Sequence, residues 1–159
     1  RETLHVMDDT RRIAMVETGG WDTHAQQRGR LANQLRGLDG MIGALKTGLG
    51  PLWANTMVVV ATEFGRTVRI NGTQGTDHGT ASMAMLLGGA VNGGRVIADW
   101  PGLSDGALFE GRDLKPTIGL DTVIGSALAG HYGLEGPRVM RTLFPDSKTE
   151  RFENSLVRA

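Results

Sequence analysis

The residues of this 159-residue chain best suited to chemistry are five acids and imidazoles in three short stretches. Asp22 and His24 lie in "GGWDTHAQQ", Glu63 in "VVVATEFG", and Asp77 and His78 in "QGTDHGT". Carboxylate oxygens and imidazole nitrogens are donors that divalent ions such as zinc, manganese, calcium or iron accept in different proportions. Together the five can supply ligands for one or two such ions. The competing reading is structural: an Asp-His dipeptide also caps turns, and a loop histidine can be satisfied by two ordinary hydrogen bonds. Arg66, in "EFGRT", has a planar fork suited to an anionic oxygen; its bland alternative is a salt bridge within its own loop. The hydroxyls of Thr23 and Thr76 suit turn hydrogen bonding. His5 stands near the start of the sequence, and His131 falls toward the end of a predicted helix, where a cation complements the dipole.

Several elements must position these groups. "RRIAMVETGG" reads as a short strand, Ile13 to Val16, entering a glycine turn. From Gln26 to Leu49, Leu31, Leu35, Leu38, Ile42, Leu45 and Leu49 recur at steps of four and three, the helical period. Gly37, Gly40 and Gly43 weaken that helix by about 1 kcal/mol each relative to Ala and allow close packing against a neighbour. "TMVVVAT", 56 to 62, is a β-branched run suited to a strand covered on both faces, as in a parallel sheet. A glycine-rich loop of about 17 residues follows, a length that usually carries function. "SMAMLLGG" and "GRVIAD" read as further strands, and 121 to 133 as a helix with Asp121 as its N-cap. The order points to a single α/β domain over 1–159 with a mostly parallel sheet flanked by helices. In such sheets ligands gather beyond the carboxyl ends of the strands, which is where the acids and imidazoles fall.

Composition removes several function classes. Seventeen basic and 17 acidic side chains balance to a net charge of zero, against nucleic acid or an anionic membrane as the main partner. The absence of cysteine excludes disulfides and thiolate chemistry. No apolar run approaches the roughly 20 residues of a membrane helix, and no signal peptide is visible. The sequence opens without an initiator Met, as expected of a processed or truncated piece.

Taken in order, "GGWDTHAQQ", "TMVVVATEFGRTVRINGTQGTDHG" and "SMAMLLGGAVNGGRV", with "LKPTIGLDTVIGSALAGHYGL" and "LFPD" after them, resemble the domain of unknown function 1501 family. That bacterial group, commonly exported by the twin-arginine route, lies within the alkaline phosphatase and sulfatase superfamily. The resemblance implies an alkaline-phosphatase-like fold, two metals, and attack on phosphate or sulfate esters by an N-terminal Asp, Ser or Thr. It also implies a periplasmic or exported location. Asp22 and His24 resemble the pair that serves one metal, though closer together than usual. Glu63 takes the acid position of a strand that usually ends in Asp-His-Gly. His78 resembles the later histidine ligand, with Asp77 as a ligand or an orienting partner. Phe64 stands where a histidine would be expected, and no nucleophile segment is visible.

The expectation is therefore a metal-dependent hydrolase of small anionic esters, or the C-terminal part of one without its nucleophile. The alternative is a non-catalytic binding or export-associated module of the same fold. A cut sheet edge would also favour pairing, so a homo-oligomer is one expected state.

Overall fold

The computed structural model of the protein describes residues 13–148 and 155–158. Its elements are α1 (Gln27–Leu49), β1 (Val58–Val60), β2 (Gly65–Arg66), β3 (His78–Gly79), β4 (Met85–Leu87), α2 (Leu120–Tyr132) and α3 (Gly136–Leu143). Turns of 3₁₀ helix occupy Gly50–Asn55 and Asp105–Ala107. The class is mixed α/β, as the sequence indicates. His5 lies outside the described residues.

The expected mostly parallel sheet is not shown by the described strands. Both described ladders are antiparallel: β1 pairs with β4, Val58 opposite Leu87, and β2 with β3, Arg66 opposite His78. The chain supplies the reason. Parallel neighbours need a crossover of a dozen or more residues, usually a helix. Here the segment between β1 and β4 contains the small β2–β3 hairpin, which turns the chain back on itself. The glycine-rich loop is thus an ordered hairpin. Gly65 is required in it, because a Cβ there would collide with the Ala81 backbone.

Two other expected strands do not form. Residues 13–16 and 94–99 have no strand partner among the described residues, and Ile13, Met15 and Val96 are largely exposed. An apolar run without a neighbour to share its backbone hydrogen bonds is not a strand.

Packing is concentrated in the C-terminal half. Ala127 and Ala129 of α2, Val139 and Met140 of α3, and Val91, Leu108 and Leu156 are the buried apolar residues. Gly125 lets Met140 Sδ sit against the α2 backbone. Gly133, in the left-handed conformation at φ 62°, ends α2 by donating its N–H to the Ala129 carbonyl. Pro137 sits in the first turn of α3, where its missing N–H is harmless. The N-cap of α2 is Gly119 rather than Asp121, whose carboxylate instead accepts the Thr122 N–H at 2.7 Å from within the first turn.

The N-terminal half is open by comparison. None of the 23 residues of α1 is buried, and the positions where Gly37, Gly40 and Gly43 would carry a Cβ have nothing within 4 Å. The close approach expected at these glycines is therefore not made here. The accessible surface is 11511 Å², against roughly 7,700 Å² for a compact monomer of this mass. Among the described residues no helix is long and apolar enough to cross a membrane.

Candidate functional site

The residues before α1 and the turn at 71–77 are built against each other. The first backbone N–H groups of a helix lack partners inside it. At α1 the Gln26 and Gln27 amides donate to the carbonyls of Thr73 and Gln74, each at 3.0 Å. Gln26 (φ 46°) and Gln74 (φ 62°) both occupy the left-handed region, uncommon for side chains with a Cβ. Gly75 packs so closely that a Cβ would strike the His24 carbonyl. This junction carries Asp22 and His24 on one side and Asp77 on the other. The β2–β3 ladder then places Arg66 beside His78.

Asp22 is the centre of the arrangement. Its Oδ1 lies 2.9 Å from His24 Nε2, 2.9 Å from His78 Nε2 and 3.0 Å from Arg66 Nη2. The ligand atoms of Asp22, His24 and His78 all fall within 4.8 Å of one another, and all three residues are exposed. The His78 hydrogen bond foremost, with help from the Arg66 hydrogen bond and the charges of His24 and His78, holds the Asp22 carboxyl below the ordinary aspartate value against the opposing effect of desolvation.

The other candidates occupy different places. Asp77 Oδ1 lies 3.1 Å from His24 Nδ1, on the far side of that ring from Asp22. Glu63 is exposed and makes no hydrogen bond or ion pair among the described residues; it is not in the ligand-atom cluster. Arg66 is engaged by its surroundings: Nη1 donates to the Thr76 carbonyl at 2.9 Å, Nη2 to the Trp21 carbonyl at 2.8 Å and to Asp22. Thr76 Oγ1 hydrogen bonds to Gln27 Oε1, whereas the Thr23 hydroxyl is buried without a partner among the described residues.

Three contributors escape sequence reasoning. Phe64 stacks on the His78 ring, with centroids 4.0 Å apart and 18° between planes, and lies under the Arg66 guanidinium at 5.0 Å. Asn71 donates from Nδ2 to the His24 carbonyl and to Asp77 Oδ1, while its Oδ1 accepts from Thr73 and Gly75. The Asn-Gly pair at 71–72 signals a turn, but nothing local says which histidine the turn will hold. Asp113, 3% exposed, accepts the Thr80 hydroxyl at 2.9 Å and pairs with Arg112. Bridges from Thr67 and Phe109 to Asp113 fasten the hairpin that presents His78.

Two imidazole nitrogens and a carboxylate oxygen fit a divalent ion that accepts nitrogen. Ligand atoms around tetrahedral zinc stand about 3.3–3.4 Å apart, given bonds of about 2.0–2.1 Å, within the spread seen here. Calcium takes six to eight oxygens and suits this set poorly.

The chain belongs to a family described as "Protein of unknown function (DUF1501)", whose model matches residues 3–144. No curated protein and no solved structure matches it.

Proposed function

We propose that the chain carries the metal-binding portion of a hydrolase acting on phosphate or sulfate esters, with Asp22, His24 and His78 as ligands of one divalent ion. The observation that supports this most is the meeting of these three side chains from two separated segments around a single carboxylate oxygen. A divalent ion bound there would polarise an ester oxygen and lower the pKa of an attacking hydroxyl or water. Asp22 contributes the negative charge that an ion would need. The two imidazoles contribute neutral donors, and Phe64 holds one of them face-on. Arg66 braces Asp22 and adds positive charge near any anion that enters.

The attacking group and the fuller alkaline-phosphatase-like sheet are assigned to a further layer of structure. The uncovered α1 and the large accessible surface support that assignment, because a helix with a regular apolar stripe is stable when the stripe is covered. The second reading is a binding module of the same fold without turnover. Phe64 at a position where a ligand would be expected, and the engagement of Arg66 by backbone carbonyls, favour it.

Turnover of aryl phosphates and aryl sulfates by the zinc-loaded and manganese-loaded protein, assayed together with the layer that supplies the attacking group, separates the two readings. Hydrolysis that is lost in Asp22→Ala supports the enzyme. Metal binding without hydrolysis supports the module. Absence of metal binding overturns both.

A further inference from the structure

Building on that reading of the site, we infer that Asp77, fixed by Asn71, is a positioning residue for His24 and not a ligand. Asp77 Oδ1 faces Nδ1 of His24 at 3.1 Å, whereas Nε2 of the same ring faces Asp22 at 2.9 Å. A neutral imidazole has one N–H and one lone pair. A proton on Nδ1, shared with Asp77, leaves the Nε2 lone pair directed at the cluster. The ligand atoms that lie mutually close are those of Asp22, His24 and His78, without Asp77.

The carboxylate is itself held. Asn71 Nδ2 donates to Asp77 Oδ1 at 2.9 Å and to the His24 carbonyl at 3.0 Å. The Asn71 amide has little freedom to turn, because its Oδ1 accepts the Thr73 amide, the Thr73 hydroxyl and the Gly75 amide. Thr73 Oγ1 completes the clamp by donating to the same His24 carbonyl at 2.7 Å. One turn therefore holds the ring and the backbone of His24 together. Outer partners of this kind fix the tautomer and orientation of a ligating histidine, and their loss typically weakens metal affinity about 10–100-fold.

The test compares wild type with Asp77→Ala, Asp77→Asn and Asp22→Ala. Asparagine keeps an oxygen that can accept the Nδ1 proton but removes the charge a ligand would supply. In metal-free Asp22→Ala, where no carboxylate competes for Nε2, nitrogen-15 NMR of the neutral His24 ring should place the proton on Nδ1, also with Asp77→Asn added, and shift it toward Nε2 with Asp77→Ala added. In zinc titrations Asp77→Ala should weaken binding about 10–100-fold and Asp77→Asn clearly less, while Asp22→Ala should remove it. A proton on Nε2 of Asp22→Ala, or a tautomer that ignores the added Asp77→Ala, overturns the inference. So does a loss of zinc in Asp77→Asn as complete as in Asp22→Ala, which would make Asp77 a ligand. Failure of wild type to bind zinc would overturn the metal reading instead, and the NMR comparison would still decide whether Asp77 positions His24.

Discussion

Phe64 lies face to face with His78, their ring centroids 4.0 Å apart. Stacked rings contribute about 0.5–1.5 kcal/mol beyond the area they bury, and this pair also fixes the plane of a histidine that reaches Asp22. Phe64→Ala should therefore lower stability by about 1–3 kcal/mol and loosen the His78 ring. Denaturant titration gives the first effect, and ring chemical shifts of His78 the second. Unchanged His78 shifts in a folded Phe64→Ala protein would reduce Phe64 to a space-filling role.

Asp113 should matter more to the hairpin than to any ligand. Removing it takes a buried carboxylate away from the Thr80 hydroxyl and from Arg112, both of which reach it from exposed positions. Asp113→Ala should cost about 1–3 kcal/mol and increase hydrogen exchange at the Thr67 amide, which donates to the Asp77 carbonyl across the hairpin. Exchange there at the wild-type rate would contradict the anchoring role.

Thr23 presents the opposite case. Its side chain is 2% exposed and its hydroxyl has no partner among the described residues, between two residues that point into the site. A buried unsatisfied hydroxyl is costly, and valine has nearly the same shape. Thr23→Val should leave stability unchanged or raise it by about 1 kcal/mol. A loss of stability in thermal unfolding would mean that the hydroxyl has a partner after all.

The pH dependence of the helical half follows from Asp121. Hydrogen bonds from Ser147 first, then Thr122, hold its carboxyl below the ordinary 3.8. A folded-state pKa below the unfolded one gives stability that is full above the unfolded value and is lost as pH falls through the folded value. The contribution is thus present through neutral and mildly acidic pH and disappears only below about pH 4. Because the group is only partly buried, solvent screening keeps it small. Asp121→Asn should flatten the acid limb of a stability-against-pH curve and leave its slope above pH 5 (about one unit clear of the titration) unaltered. An acid limb identical to wild type would remove Asp121 from the account.

How much of this was legible in the sequence depended on the range of the interactions. The stripe from Leu31 to Leu49 defines α1 because helical periodicity is local, and 121–133 is recognisable for the same reason. The cores of 56–62 and 82–89 are strands, but their antiparallel pairing depends on how the chain between them folds. Ile13 to Val16 shows that an apolar run without a neighbour stays irregular, and the eight residues of α3 are too few for periodicity to register. At the site, residue type was enough to single out Asp22, His24 and His78, which the fold brings together. Type alone could not separate Glu63 from them, place Asp77 behind His24, or attach a role to Asn71, because those distinctions depend on contacts across 47 to 56 positions of sequence.

The central claim is that Asp22, His24 and His78 hold one cation together. Equilibrium dialysis against zinc, with metal analysis of the retained protein, tests it most directly on wild type, Asp22→Ala, His24→Ala, His78→Ala and Glu63→Ala, each checked for folding by circular dichroism. The account predicts about one zinc per chain in wild type and Glu63→Ala, and losses beyond the roughly 100-fold of an outer partner in the other three. Zinc absent from wild type, or retained undiminished when any of the three is removed, would contradict it.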